Sequence, residues 1–217
     1  MAARPILYAS FPSSCSMRVR TALRLKGIDY DYRHVNVAKK EGTNAEELRR
    51  LNPSAKVPVF VHEGHAISES LAIIEYIDEV FPQGESLLPR DHFRRAQARA
   101  IALHIACSCQ PIQNSRVIKY VEAEGEGKVT EWCTHWLSVG LSELEELVKQ
   151  SAGRFCVGDS VSIADLCLPS ILNNARRRAG SLDLSRFPTL LRIEAELLRI
   201  PAFKAAAEPE EKPKARL

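Results

Sequence analysis

The sequence predicts an α+β domain followed by an all-helical one, and three observations predict it. Short apolar runs that read as strands alternate with helical stripes only as far as Phe81-Pro82. The stretch from Gln83 to Arg90, with Gly84 and Pro89, has the composition of a linker. From Asp91 onward the apolar spacing is helical throughout. The expected boundaries are therefore 1–82, a linker at 83–90, a helical domain over 91–207 and a charged, proline-containing tail at 208–217, expected to be disordered.

The first part opens with Pro5-Ile6-Leu7-Tyr8-Ala9, a short apolar run that reads as a buried strand. Val19, Ala22, Leu23 and Leu25 then recur at helical spacing, with Gly27 as a C-terminal stop. Between them, Phe11-Pro12-Ser13-Ser14-Cys15-Ser16-Met17-Arg18 is a strand-to-helix turn. It delivers three hydroxyls and a thiol to a helix N-terminus, where free N–H groups and the dipole favour an anion. The useful anion there is a thiolate, from Cys15 or from a bound small thiol.

Tyr30 to Val37 alternates as a second strand, Ala38 to Asn44 is a polar loop, and Ala45 to Leu51 a short helix ending before Asn52-Pro53. Val57 to Val61 and Ala66-Ile67 flank Glu63-Gly64, which predicts an antiparallel hairpin. Leu71, Ile74, Ile77 and Val80 form a helical stripe beginning at or just after Ser68. The order is β-α-β-α-β-β-α.

In the second part, Asp91 caps a helix through Ala106 that Pro111 kinks or ends. Ile112 to Val121 resumes the pattern. Trp132, Trp136, Leu144 and Val148 line a long helix, with Gly153 as its stop. In Val161-Ser162-Ile163-Ala164-Asp165-Leu166, Ser162 and Asp165 have capping-box spacing, and Val161 against Leu166 is a hydrophobic staple. A last helix spans Pro188 to Leu198, with Ala202-Phe203 beyond it.

Composition narrows the function classes. A net charge of +3, with basic clusters that lack interleaved aromatics, argues against nucleic acid as a partner. No apolar stretch approaches a membrane span, so no membrane partner is expected. The six cysteines include no C-x-x-C pair and no zinc-finger spacing, and there is no signal peptide; free thiols in a reducing compartment, and no metal, are expected.

Four motifs in order, Ser13-Ser14-Cys15-Ser16-x-Arg18-Val19-Arg20, Val57-Pro58, Glu69-Ser70-Leu71-Ala72-Ile73-Ile74-Glu75-Tyr76 and Gly158-Asp159-x-x-Ser162-Ile163-Ala164-Asp165-Leu166, resemble glutathione S-transferases. The similarity is to the zeta class, which includes maleylacetoacetate isomerase, and runs from Pro5 to about Phe203. The resemblance implies a thioredoxin-like domain before the helical one, a homodimer, and glutathione as cofactor. It places glutathione against the run Ser13, Ser14, Cys15, Ser16, Met17 and Arg18, and against Val57 ahead of a cis Pro58. Ser70 would meet its γ-glutamyl carboxylate and Glu69 its ammonium. Gln110, Asn114, Ser115 and Arg116 would line the site from the helical part. Ser13 is favoured for thiolate stabilisation, with Ser14 as its backup and Cys15 a neighbour that affects substrate handling.

Arg177, with Arg176 a near rival, would meet the substrate's carboxylates through the family pattern N-A-x-R at Asn174-Ala175-Arg176-Arg177. Two positions depart from the class: Met17, often Trp, and Arg178, usually Phe. The implied activity is glutathione-dependent cis–trans isomerisation of maleylacetoacetate, or of maleylpyruvate, in tyrosine and phenylalanine catabolism. Transferase activity on small electrophiles and α-halo acids would accompany it. The rivals are a Cys15-based thiol transferase or dehydroascorbate reductase, and a non-catalytic scaffold of the same fold.

Ala215-Arg216-Leu217 is a conservative variant of the S-K-L peroxisomal address, so the compartment expected is cytoplasmic or a peroxisome-type organelle. Chance agreement at three positions is roughly one in a few hundred. Carried by a fluorescently tagged chain with these residues last, the segment should give punctate organellar signal. A diffuse cytosolic signal would remove the address.

Overall fold

The computed structural model describes residues 4–36 and 43–207. The predicted α+β part forms a four-stranded sheet of β1 (Ile6–Ala9), β2 (Asp31–His34), β3 (Val59–His62) and β4 (His65–Ser68) in the order β2-β1-β3-β4. β1 and β2 are parallel and joined through helix α1 (Ser14–Leu25), while β3 runs antiparallel to both β1 and β4. Helices α2 (Thr43–Leu51) and α3 (Ser70–Val80) complete the predicted order. This is the thioredoxin-like arrangement that the resemblance implies.

The two faces of the sheet follow from strand alternation. Tyr8 pairs in register with Val59, and both pack with Val35, Ala45 and Leu48 under α2. Leu7 pairs with Phe60 on the opposite face, where the Phe60 ring meets Tyr76 of α3 at a centroid distance of 6.3 Å. Burial and a hydrogen bond with Glu47 of α2 push the Tyr8 phenol up to about 12, so this hydroxyl stays a neutral donor. α1 and α3 pack against each other, and a buried Lys26–Asp78 pair at 2.6 Å ties their C-terminal ends.

Helices α4 (His92–Leu103), α5 (Ser115–Glu122), α6 (Lys128–Lys149), α7 (Ile163–Arg178) and α8 (Pro188–Leu198) make up the second part. α7 is its centre: every residue from Ser162 to Leu172 is buried, as expected of a helix apolar on all sides. Each Leu or Ile sealed there contributes about 1.5–3 kcal/mol relative to exposure. The helix runs unbroken through Pro169, which local propensity disfavours; packing on all sides offsets the missing N–H.

The capping box forms as the sequence predicts. The Asp165 carboxylate accepts from the Ser162 N–H and hydroxyl at 2.9 Å each, and from the Cys156 N–H at 2.8 Å. Burial pushes the Asp165 carboxyl up, against the downward pull of those donors.

Four expectations change. The second strand is shorter than Tyr30 to Val37, and residues 37–42 of the strand end and loop lie outside the described residues. α2 begins at Thr43, ahead of Ala45. Gly153 does not stop α6, which ends at Lys149; a Cβ on Gly153 would meet Asp159 Oδ1 at 2.5 Å and the Gly158 carbonyl at 2.7 Å. Close approach, not helix termination, requires this glycine. Finally, Ala202-Phe203 belong to a further helix, α9 (Pro201–Ala207), which packs on α1 and whose Ala206 carbonyl accepts from Arg20 at 2.9 Å. The structure divides into one compact unit of Met1–Glu85 with Arg199–Leu217 and a second of Ser86–Leu198. The tail at 208–217, with Ala215-Arg216-Leu217, lies outside the described residues. No helix among the described residues is long and apolar enough to cross a membrane.

Replacing Asp165 with Ala strands three buried donors at once. The expected loss is about 3 kcal/mol of unfolding free energy. Chemical denaturation would measure it, and a loss below about 1 kcal/mol would mean that the box is dispensable.

Candidate functional site

In the first unit the site residues gather because of register. Tyr8 of β1, Val59 of β3 and Ser68 of β4 lie side by side across the sheet. The chain leaving β1 at Ser10, entering β3 from Val57 and leaving β4 at Glu69 therefore meets one edge. Both α1 and α3 begin there, so two positive helix ends open on it.

Ser13 is the N-cap of α1, and its hydroxyl oxygen accepts from the Ser16 N–H at 3.2 Å. Its own O–H donates to no acceptor among the described residues, and neither do the first-turn N–H groups of Ser14 and Cys15. Ser13, Ser14 and Cys15 are all half-buried. Ser16, Met17 and Arg18, expected with them along the ligand, are buried. Ser16 accepts from the Ser10 N–H at 3.4 Å and steadies the turn. Arg18 donates to the Ser70 hydroxyl at 3.3 Å, which sets a buried cation beneath the start of α3.

Val57-Pro58 is a cis peptide. Among the described residues the Val57 N–H and C=O have no hydrogen-bond partner. The preceding loop is held by Asn52, which the sequence reading passed over. Its amide donates to the Lys56 carbonyl at 2.9 Å, and its oxygen accepts from Ser54 N at 3.0 Å. Glu69 is exposed, with φ 68° and ψ 119°, a conformation costly for a residue with a Cβ. The kink turns its carboxylate outward while Ser70, 5% exposed, starts α3.

In the second unit, α4 does not simply kink at Pro111. It widens into a π turn over His104–Cys109 and tightens into a 3₁₀ turn over Pro111–Gln113, with Gln110 between them. Gly140 of α6 permits this, since a Cβ there would lie 2.7 Å from Cys109 Sγ. His104 Nε2 adds a contact of 3.0 Å to the Gly140 carbonyl. Gln110 is half-buried. Asn114 caps α5 by accepting from the Arg116 N–H at 3.2 Å, and Ser115 and Arg116 are exposed. Gln113, not foreseen, is 2% exposed; its amide donates to the Cys109 carbonyl, and its oxygen is buried without a partner.

The three arginines at the end of α7 differ in their surroundings. Arg176 forms a bidentate pair with Glu194 of α8, which holds its guanidinium above the usual value. Arg177 is exposed and donates to Asn174 Oδ1 at 3.1 Å. Arg178 is half-buried; burial lowers its guanidinium from the usual value, and the neighbouring Arg177 charge lowers it further. Burial pushes up the adjacent Cys133 thiol, against the pull of Arg178.

A hollow of about 610 Å³ lined by Asp91, Phe93, Arg94, Gln97, Gln150 and Ser151 contains none of the expected site residues. No group of three or more His, Cys, Asp or Glu among the described residues could hold a metal ion.

A thioredoxin-like sheet whose cis-proline edge faces the N-terminus of α1 defines a thiol-handling protein. Known proteins make the class specific. Residues 12–80 match the glutathione S-transferase N-terminal domain, and residues 114–209 the C-terminal domain. A probable maleylacetoacetate isomerase of Caenorhabditis elegans is 44% identical over 97% of this chain and 95% of its own length. The maleylacetoacetate isomerase of Anaeromyxobacter dehalogenans, solved with GSH bound in its active site, is 35% identical over 97% of this chain and 99% of its own, with a TM-score of 0.85. A bacterial maleyl pyruvate isomerase, described as a zeta-class glutathione S-transferase, is 31% identical over 95% of this chain and all of its own, with a TM-score of 0.86. The chain belongs to the glutathione S-transferase family, in its zeta class.

Gly140→Ala should cost on the order of 1–3 kcal/mol by driving a methyl into the Cys109 sulfur. Adding Cys109→Ala should recover most of that loss. Thermal melts of the four proteins of this double-mutant cycle measure it; equal losses in both backgrounds would disprove the contact.

Proposed function

We propose that this chain is a glutathione-dependent cis–trans isomerase of maleylacetoacetate, or of the related dicarboxylate maleylpyruvate, acting in aromatic amino-acid catabolism. It would also transfer glutathione to small electrophiles and α-halo acids. The observation that carries the reading is the mouth of α1, where the Ser13 hydroxyl and the amides of Ser14 and Cys15 are all unspent donors around one point. These donors fit a thiolate. The unpaired backbone of Val57 fits a peptide, and Ser70 above Arg18 fits a carboxylate.

Glutathione, when bound, supplies a thiolate that adds to the conjugated double bond and departs after rotation about the resulting single bond. Ser13 donates its O–H to the sulfur and favours the ionised form, aided by the helix N-terminus, with Ser14 the nearest substitute. Val57 pairs with the cysteinyl backbone through its N–H and C=O. Ser70 and the buried Arg18 charge hold the γ-glutamyl carboxylate, and the outward Glu69 carboxylate its ammonium. Gln110, Asn114, Ser115 and Arg116 belong to the same reading as lining residues. Arg177, the position given by the family pattern, is the candidate for the substrate's carboxylates, with Arg176, which pairs with Glu194, its near rival. A homodimer is part of this proposal.

The test is turnover of maleylacetoacetate or maleylpyruvate with and without catalytic glutathione, beside titration of the bound thiol by ultraviolet absorbance. Ser13→Ala should lower kcat/KM about 10²–10³-fold and return the thiol pKa towards that of free glutathione. Cys15→Ala should retain most activity; near-complete loss would favour the Cys15 thiol-transferase reading. Turnover independent of glutathione, or a bound thiol as acidic as the free one, would overturn the proposal.

A further inference from the structure

Arg178 ends α7 in a position that lacks its natural complement. Its Nε is sealed from solvent and has no hydrogen-bond partner, and no carboxylate among the described residues pairs with it. The Glu194 carboxylate is taken by Arg176. Beside Arg178 stand another cation, Arg177, and the 1%-exposed Cys133 of α6. The next turn of chain is anchored to the same helix, with the Thr134 and Ser181 hydroxyls 3.3 Å apart.

A half-buried guanidinium remains protonated, so it carries its charge into a poorly solvated position next to a like charge. Both costs fall when an anion arrives. The geometry also prepares the group to receive one, since a sealed Nε restricts the side chain before any ligand binds. The helix C-terminus attracts cations in general, but that accounts for Arg176 and Arg177 equally and supplies no partner for a sealed Nε–H.

We propose that Arg178 is a substrate-positioning residue, which with Arg177 forms a paired-guanidinium site for a carboxylate of a dianionic substrate. This rests on the isomerase reading above for the identity of the substrate, but not for the existence of the anion site. A planar guanidinium presents two parallel N–H donors to one carboxylate, whereas an ammonium presents a point charge. The pair therefore selects dicarboxylates over monocarboxylates and neutral electrophiles by how strongly it binds them, without altering the reacting thiol.

The experiment uses the full chain loaded with glutathione and succinate as an unreactive dicarboxylate probe. Calorimetry should show Arg178→Met weakening succinate about 10-fold or more. Glutathione affinity and turnover of a neutral electrophile such as chlorodinitrobenzene should stay unchanged. Arg178→Lys should bind succinate more tightly than Arg178→Met, and acetate should discriminate among the three proteins far less. A readout on the unaltered protein stands beside these. The sealed Arg178 Nε–H should give a slowly exchanging nitrogen–proton NMR signal that shifts on adding succinate and not on adding glutathione alone. An unmoved signal, or equal succinate affinity in the original chain and Arg178→Met, would overturn the proposal. If the chain proves not to isomerise maleyl substrates while succinate still moves the Arg178 signal, the isomerase reading fails and the anion site stands.

Discussion

The alignment of β3 between β1 and β4 is the constraint on which the first unit's chemistry depends. Because Tyr8, Val59 and Ser68 stand in one row, three breaks in the chain open at the same sheet edge. A slip of one residue in either pairing would turn Tyr8 or Val59 away from α2 and put apolar side chains on the wrong face. Core burial thus enforces the register, and the register positions Ser13, Val57 and Ser70. The Ser13 hydroxyl and the Val57 backbone are held in place by the same force that keeps the apolar side chains dry.

The second unit is organised by a different device. α7 is sealed along most of its length, and its first turn is satisfied by a carboxylate that also grips the Cys156 backbone from the preceding loop. α8 begins on a second buried carboxylate, Glu145 of α6, which accepts from the Thr189 and Leu190 N–H groups at 3.0 and 3.1 Å. Each buried acid caps a helix start and joins it to another segment. Such carboxylates are costly to bury alone but favourable when each oxygen is met by a donor.

Elements with strong internal periodicity were legible in the sequence. The strand–helix order through Val80, the Asp91 cap and the Ser162–Asp165 box all form from residues close in the chain. What was not legible depends on distant partners. The π turn before Gln110 exists because α6 offers a glycine to Cys109, and nothing within 104–109 signals that. The pairing of Arg176 with Glu194 joins residues eighteen positions apart, and the bond from Arg18 to Ser70 residues fifty-two apart. Gly153 looked like a stop because glycines often follow helices; its real constraint is the crowding from Gly158 and Asp159. Among the family-implied residues, the surface-reaching Ser13, Ser14 and Cys15 were separable from the buried Ser16, Met17 and Arg18 only in three dimensions.

α9 gives this architecture a temporal asymmetry. The first helix packs against a segment made more than 170 positions later, and Arg20 spends a donor on the Ala206 carbonyl. During synthesis the opening unit therefore emerges without its last piece, while the intervening helical unit has all of its own residues available first. Domains that form as the chain is made usually do so from the front. Here the portion that leads in sequence is the one that must wait for α9 before its packing closes.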